Sequence, residues 1–161
     1  MKYTRLTKEQ LEALHHDFAR FLATQQITAD EWDTLKKEKP HVAEQEIDIF
    51  SDLVWEKSLE KVRFLDKIDR QSLHCFHFEK ENAKMISIIL HNNQIDLTTH
   101  EGFEWLQNNI QSPEVELFTG QKTFTNDYKF EIFKLIEQGS QIADGTLFNT
   151  LSEYLKNQSE K

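Results

Sequence analysis

Five carboxylates, Glu44, Asp48, Asp52, Glu56 and Glu60, recur at steps of four residues along one stretch of the chain. On a helix that spacing stacks them on one face, where each like-charged pair costs about 0.2–0.5 kcal/mol. A helical wheel gathers Ala43, Ile47, Phe50, Leu53 and Val54 on one arc, and sets Asp48, Asp52, Trp55 and Leu59 against it. An indole and an aliphatic side chain among acids suit a contact surface, because tryptophan is enriched at binding hot spots and acidic rims steer basic partners. Trp55, Leu59, Asp48, Asp52 and Glu56 are therefore the expected partner-binding residues, and the expected partner is a protein with a basic or amphipathic surface. A solvated face, or cover by the chain's own sheet, would give the same pattern. Mimicry of nucleic-acid charge is a further reading, and it predicts binding that weakens steeply with salt.

Enzymatic chemistry has weaker support. Glu12 and His15 have the Glu-x-x-His spacing of di-metal helical bundles, and His41 with Glu44 has the reverse. These four residues define the alternative, a small metal-assisted hydrolase, but a bundle needs two such helices and more glutamates. The single cysteine, Cys75, stands near His74 and His77. In a strand, His77 shares its face and His74 points the other way, so a buried, unreactive thiol is expected. Glu46 falls within the apolar arc of the acidic helix, where a carboxylate needs a partner such as Arg20, Lys36 or a histidine. The four glycines form neither a dinucleotide fingerprint nor a phosphate loop, and no nucleophile elbow or zinc-helix motif occurs. No catalytic residue, metal ligand or cofactor is assigned.

The elements that must position these groups follow from periodicity and punctuation. Thr7 with Gln10 and Thr28 with Glu31 are capping boxes that open two helices, the first with a stripe from Leu11 to Leu22. Pro40 stops the second and starts a third, running to about Lys61. Leu73–Phe78 and Lys84–Leu90 read as strands, with Asn92-Asn93 as a hairpin connection to Ile95. Thr98 with Glu101 predicts a fourth helix through Phe103, Leu106 and Ile110. Val115–Phe118 and Phe130–Ile136 read as further strands, and Thr146–Asn157 as a closing helix. The expected class is α+β: three N-terminal helices, then a small antiparallel sheet with two further helices. One domain is expected over 1–161, helical over about 1–61 and sheet-containing over about 62–161.

Composition narrows the setting. With 19 basic and 28 acidic side chains the formal net charge is −9, which argues against direct binding to duplex nucleic acid. No apolar run is long enough to insert in a membrane, and the start lacks a signal peptide. A lone cysteine suits a reducing compartment, so the expected localisation is cytoplasmic.

Residues 1–11 (MKYTRLTKEQL), 21–32 (FLATQQITADEW), 95–99 (IDLTT), 101–106 (EGFEWL) and 133–139 (FKLIEQG) resemble an uncharacterised cytosolic protein family of Bacteroidota-type bacteria. That resemblance spans nearly the whole chain. It implies a small intracellular bacterial protein, and it brings no activity, cofactor or site residue with it. The reading as a whole is a non-enzymatic cytosolic protein that binds or regulates a partner through one acidic, aromatic helix face.

Overall fold

The structure is a computed structural model and describes residues 1–159. Among them are seven helices and one antiparallel sheet of five strands, an α+β arrangement. The chain divides into two compact units, Met1–Glu60 and Lys61–Lys161.

The first unit is helical: α1 (Lys8–Ala13), α2 (His15–Thr24), α3 (Ala29–Glu38) and α4 (Pro40–Leu59). The capping boxes form as their spacing predicts, with the Thr7 and Thr28 hydroxyls accepting from Gln10 and Glu31 amides and those side chains accepting in return. The stripe expected on one helix is divided at Leu14, whose backbone (φ −105°, ψ 21°) ends α1 and starts α2. Leu6, Phe21, Leu22 and Phe50 are buried together, with the Phe18 ring 5.0 Å from Phe50 and edge-on to Trp32 at 5.2 Å. Aromatic pairs at such separations add to what burial supplies.

The second unit is built on β1 (Phe64–Ile68), β2 (Ser72–Phe78), β3 (Asn82–Leu90), β4 (Val115–Thr123) and β5 (Gln141–Ala143), in the order β4-β3-β2-β1-β5. Register sets Asp66 opposite Cys75, Cys75 opposite Ile86, and Leu73 opposite Ile88. One face packs against α5 (His100–Asn108) and α7 (Thr146–Ser159), burying Leu73, Ile86, Ile88, Leu106, Phe148 and Leu151. Toward the other face lies α6 (Tyr128–Glu137), whose Glu131 and Leu135 line a hollow with Phe76, Phe78 and Met85.

Three further expectations about elements need correction, and two strands were not expected. Phe130–Ile136 is helical: Asp127 accepts from the Lys129 amide at its start, and Gly139 (φ +105°) ends it with Ser140 N–H donating to Leu135 C=O. Those helix caps outweigh the strand preference of the bulky residues between them. Asn92-Asn93 does not join two strands. The Asn92 carboxamide oxygen accepts from the Gln94 amide, and the chain passes on to α5. The cap of α5 is Thr99, accepting from Gly102, because Asp96 engages both the amide and the hydroxyl of Thr98. Lastly, β1 and β5 are strands that no pattern announces; β5 has three residues, too few for a period.

Candidate functional site

The acidic row on α4 meets the residues that precede α1. The Asp52 carboxylate accepts from the main-chain amides of Lys2 (2.8 Å) and Tyr3 (2.9 Å), one on each oxygen. The Arg5 guanidinium straddles Asp48, with Nε at 2.6 Å from one oxygen and Nη2 at 3.1 Å from the other. Glu56 accepts from the Tyr3 hydroxyl at 2.6 Å and from the Lys2 ammonium at 3.1 Å. The Leu6 amide donates to Ser51 Oγ at 3.0 Å, and that hydroxyl donates to the Ile47 carbonyl at 2.7 Å. Three successive rungs of the ladder thus hold a basic segment by its backbone as well as by its charges. Such charge-assisted bonds are stronger than neutral ones, and the bidentate pair fixes orientation too.

Protonation follows this geometry. Arg5 beside Asp48 holds that carboxyl below its ordinary value. Burial and the bond to Glu56 push the Tyr3 phenol up to about 12.

Of the five residues expected to meet a partner, Asp48, Asp52, Trp55 and Glu56 lie half-buried around this segment, the Trp55 ring 6.4 Å from that of Tyr3. Leu59 has no exposed surface. The wheel's inward arc is also corrected: Leu53 is 54% exposed. The buried strip on α4 runs from Phe50 through Ser51 to Leu59, about half the circumference at roughly 100° per residue. The wheel located a single apolar stripe, and it had no means of including a strip whose middle is a serine.

The other candidates separate. Glu12, His15, His41 and Glu44 are all exposed, and His15 Nδ1 lies 2.9 Å from the Glu12 carbonyl oxygen. A carbonyl can only accept, so that nitrogen carries the proton. No group of three or more His, Cys, Asp or Glu side chains that could hold a metal occurs among the described residues. Cys75 is fully buried, and burial together with Asp66 pushes its thiol up, opposite to what a nucleophile needs. Glu46 Oε2 is buried with no hydrogen-bond partner, while Arg20 and Lys36, its expected partners, pair with Asp17 and Asp33.

Sequence reasoning passed over one arrangement in the second unit. Asp66 on β1 and Asp144 before α7 both line a hollow of about 520 Å³ between α5 and α7. They are 78 positions apart in sequence (144 − 66), and the pairing of β5 with β1 supplies the relation that spacing does not.

The fold defines an α+β protein in which a helical unit precedes an antiparallel sheet unit, and no described helix is long and apolar enough to cross a membrane. Over residues 1–156 the chain matches the model of a family of unknown function, DUF6495, and it belongs to that family. No curated protein and no solved structure matches it.

Proposed function

We propose that this is a non-enzymatic protein-interaction or regulatory protein of the bacterial cytoplasm. Its α4 face, with Asp48, Asp52, Glu56 and Trp55, would recognise a basic segment of a partner protein. The observation that carries this reading is the clasp on residues 2–6: Asp52 takes two consecutive main-chain amides while Asp48 and Glu56 take the flanking cations. A face that reads backbone and positive charge together is a recognition surface for peptide, here engaged by the chain's own start. A partner would compete with that segment, which makes the segment a built-in threshold on binding. Leu59, fully buried, has no part in the contact. The lone Cys75 suits the reducing compartment we propose.

The test uses the full chain as bait in cytosol of its own source. Asp48→Lys combined with Asp52→Lys should abolish co-purification of the partner with the circular dichroism spectrum unchanged. Arg5→Ala, which loosens the occupying segment and leaves the face intact, should increase it. Capture that ignores both changes would place the partner elsewhere on the molecule. A contact centred on Trp55 should also survive added salt far better than a purely ionic one.

A further inference from the structure

On the inner face of the sheet one acid is set among apolar neighbours. Asp66 stands between Phe64 and Ile68 on alternate positions of β1, in a cross-strand row with Cys75 and Ile86, both buried. A carboxylate in such a row is costly unless something compensates it. Asp66 Oδ1 is buried and has no hydrogen-bond partner. Beside the carboxyl is the Cys75 thiol, a weak donor. Burial, opposed by that thiol, and the nearby charge of Asp144 push the Asp66 carboxyl up.

Asp144 is held close by the turn that follows it. Gly145 (φ +93°) lies so near Phe64 that a β-carbon there would come within 2.7 Å of the ring, so the turn is seated directly on β1. The Asp144 carboxylate caps α7 by accepting from the Thr146 amide at 2.9 Å, and that bond keeps the carboxyl below its ordinary value. Among the described residues no lysine, arginine or histidine pairs with either acid.

These two carboxylates border a hollow that is otherwise mostly apolar. Leu73 and Ile88 of the sheet, Phe103 and Ile110 on the α5 side, and Leu147 and Tyr154 of α7 line it. Its volume, about 520 Å³, is within the range of small-molecule sites. Greasy walls with two acids and no internal cation describe the complement of a molecule with an apolar body and a positive head.

We propose that the cavity between α5 and α7 binds a small amphipathic amine, its hydrophobic body against Phe103 and Tyr154 and its ammonium group against Asp66 and Asp144. The ammonium group faces the Asp66 and Asp144 carboxyls where they border the hollow, and its positive charge offsets the repulsion between the acids. The site is independent of the α4 face and belongs wholly to the second unit.

Three probes with one body and different heads test it: 4-phenylbutylamine, 4-phenylbutanol and 4-phenylbutyrate, titrated calorimetrically into the full chain at neutral pH. The amine should bind about tenfold or more tightly than the alcohol, the size expected of one charge-assisted hydrogen bond, and the carboxylate weakest of all. Asp66→Asn with Asp144→Asn should reduce the amine to the level of the alcohol. Should that double variant fail to fold, Asp144→Asn alone alters an exposed acid whose amide can still cap the helix, and it should narrow the preference. Thr150→Trp, which fills the hollow from α7, should remove binding of amine and alcohol alike. Equal binding of amine and carboxylate, no binding of any probe, or an amine preference untouched by loss of the acids would overturn the proposal.

Discussion

Ser51 has no solvent access, yet it sits mid-helix, where a hydroxyl brings no packing advantage. Its value is in its two bonds. It donates back to the Ile47 carbonyl and accepts from the Leu6 amide, which is the last rung of the N-terminal clasp. Ser51→Ala leaves the Leu6 N–H without an acceptor beside a buried side chain, so urea unfolding should register a loss of about 1–3 kcal/mol. A loss under about 0.5 kcal/mol, the scale of an ordinary surface change, would show that water takes over the amide. At this scale the sequence was partly legible. The acids at steps of four were visible, and the basic residues Lys2 and Arg5 were present to be paired with them. Asp48 and Arg5 lie 43 positions apart, however, and no local rule couples residues so distant.

Elements declare themselves where their ends carry side-chain chemistry. Thr7 and Thr28 open helices because hydroxyl and amide satisfy each other across three residues, a purely local bond. The start of α5 is different, since its cap was legible but its register was not. Asp96 takes Thr98, which passes the cap to Thr99 and brings Gly102 against the Asp96 carbonyl. A β-carbon on Gly102 would come within 1.8 Å of that oxygen, closer than any contact can be. Gly102→Ala must therefore push the Asp96 turn away from α5 and disturb Leu97 and Leu106, both buried. The expected result is a drop in melting temperature of roughly 4–8 °C or more, for about 1 kcal/mol or more lost in a unit of this size. An unchanged melting temperature would mean that the turn can re-form elsewhere. The reading of α6 as a strand failed for a related reason: its bulky run suits either element, and the deciding signals, Asp127 and Gly139, lie outside the run.

Across the molecule, acid should act first through His77 and at lower pH through paired carboxylates such as Asp48. His77 stacks on Phe64 at 4.5 Å with Phe148 at 5.4 Å. Burial lowers its pKa, opposed by Glu79 and helped by Lys84 and Arg63. The unfolded chain takes up that proton near pH 6.5, so His77 supports the fold above this value and the support fades as pH falls. Asp48, held low by Arg5, contributes above about pH 4 and loses its contribution below it. Urea midpoints should thus decline between pH 7 and pH 5, and His77→Phe should flatten that decline. Equal declines in both proteins would assign it to another group. The sequence by itself determined the α+β class, most of the helix starts and the acidic row, because each rests on bonds or periods spanning a few residues. Tertiary structure alone decided that the chain's own beginning lies on that row, that Leu59 turns inward, and that Asp66 and Asp144 share a cavity. Those are relations between distant residues, set by strand register and by which surfaces find cover, and neither is written in local spacing.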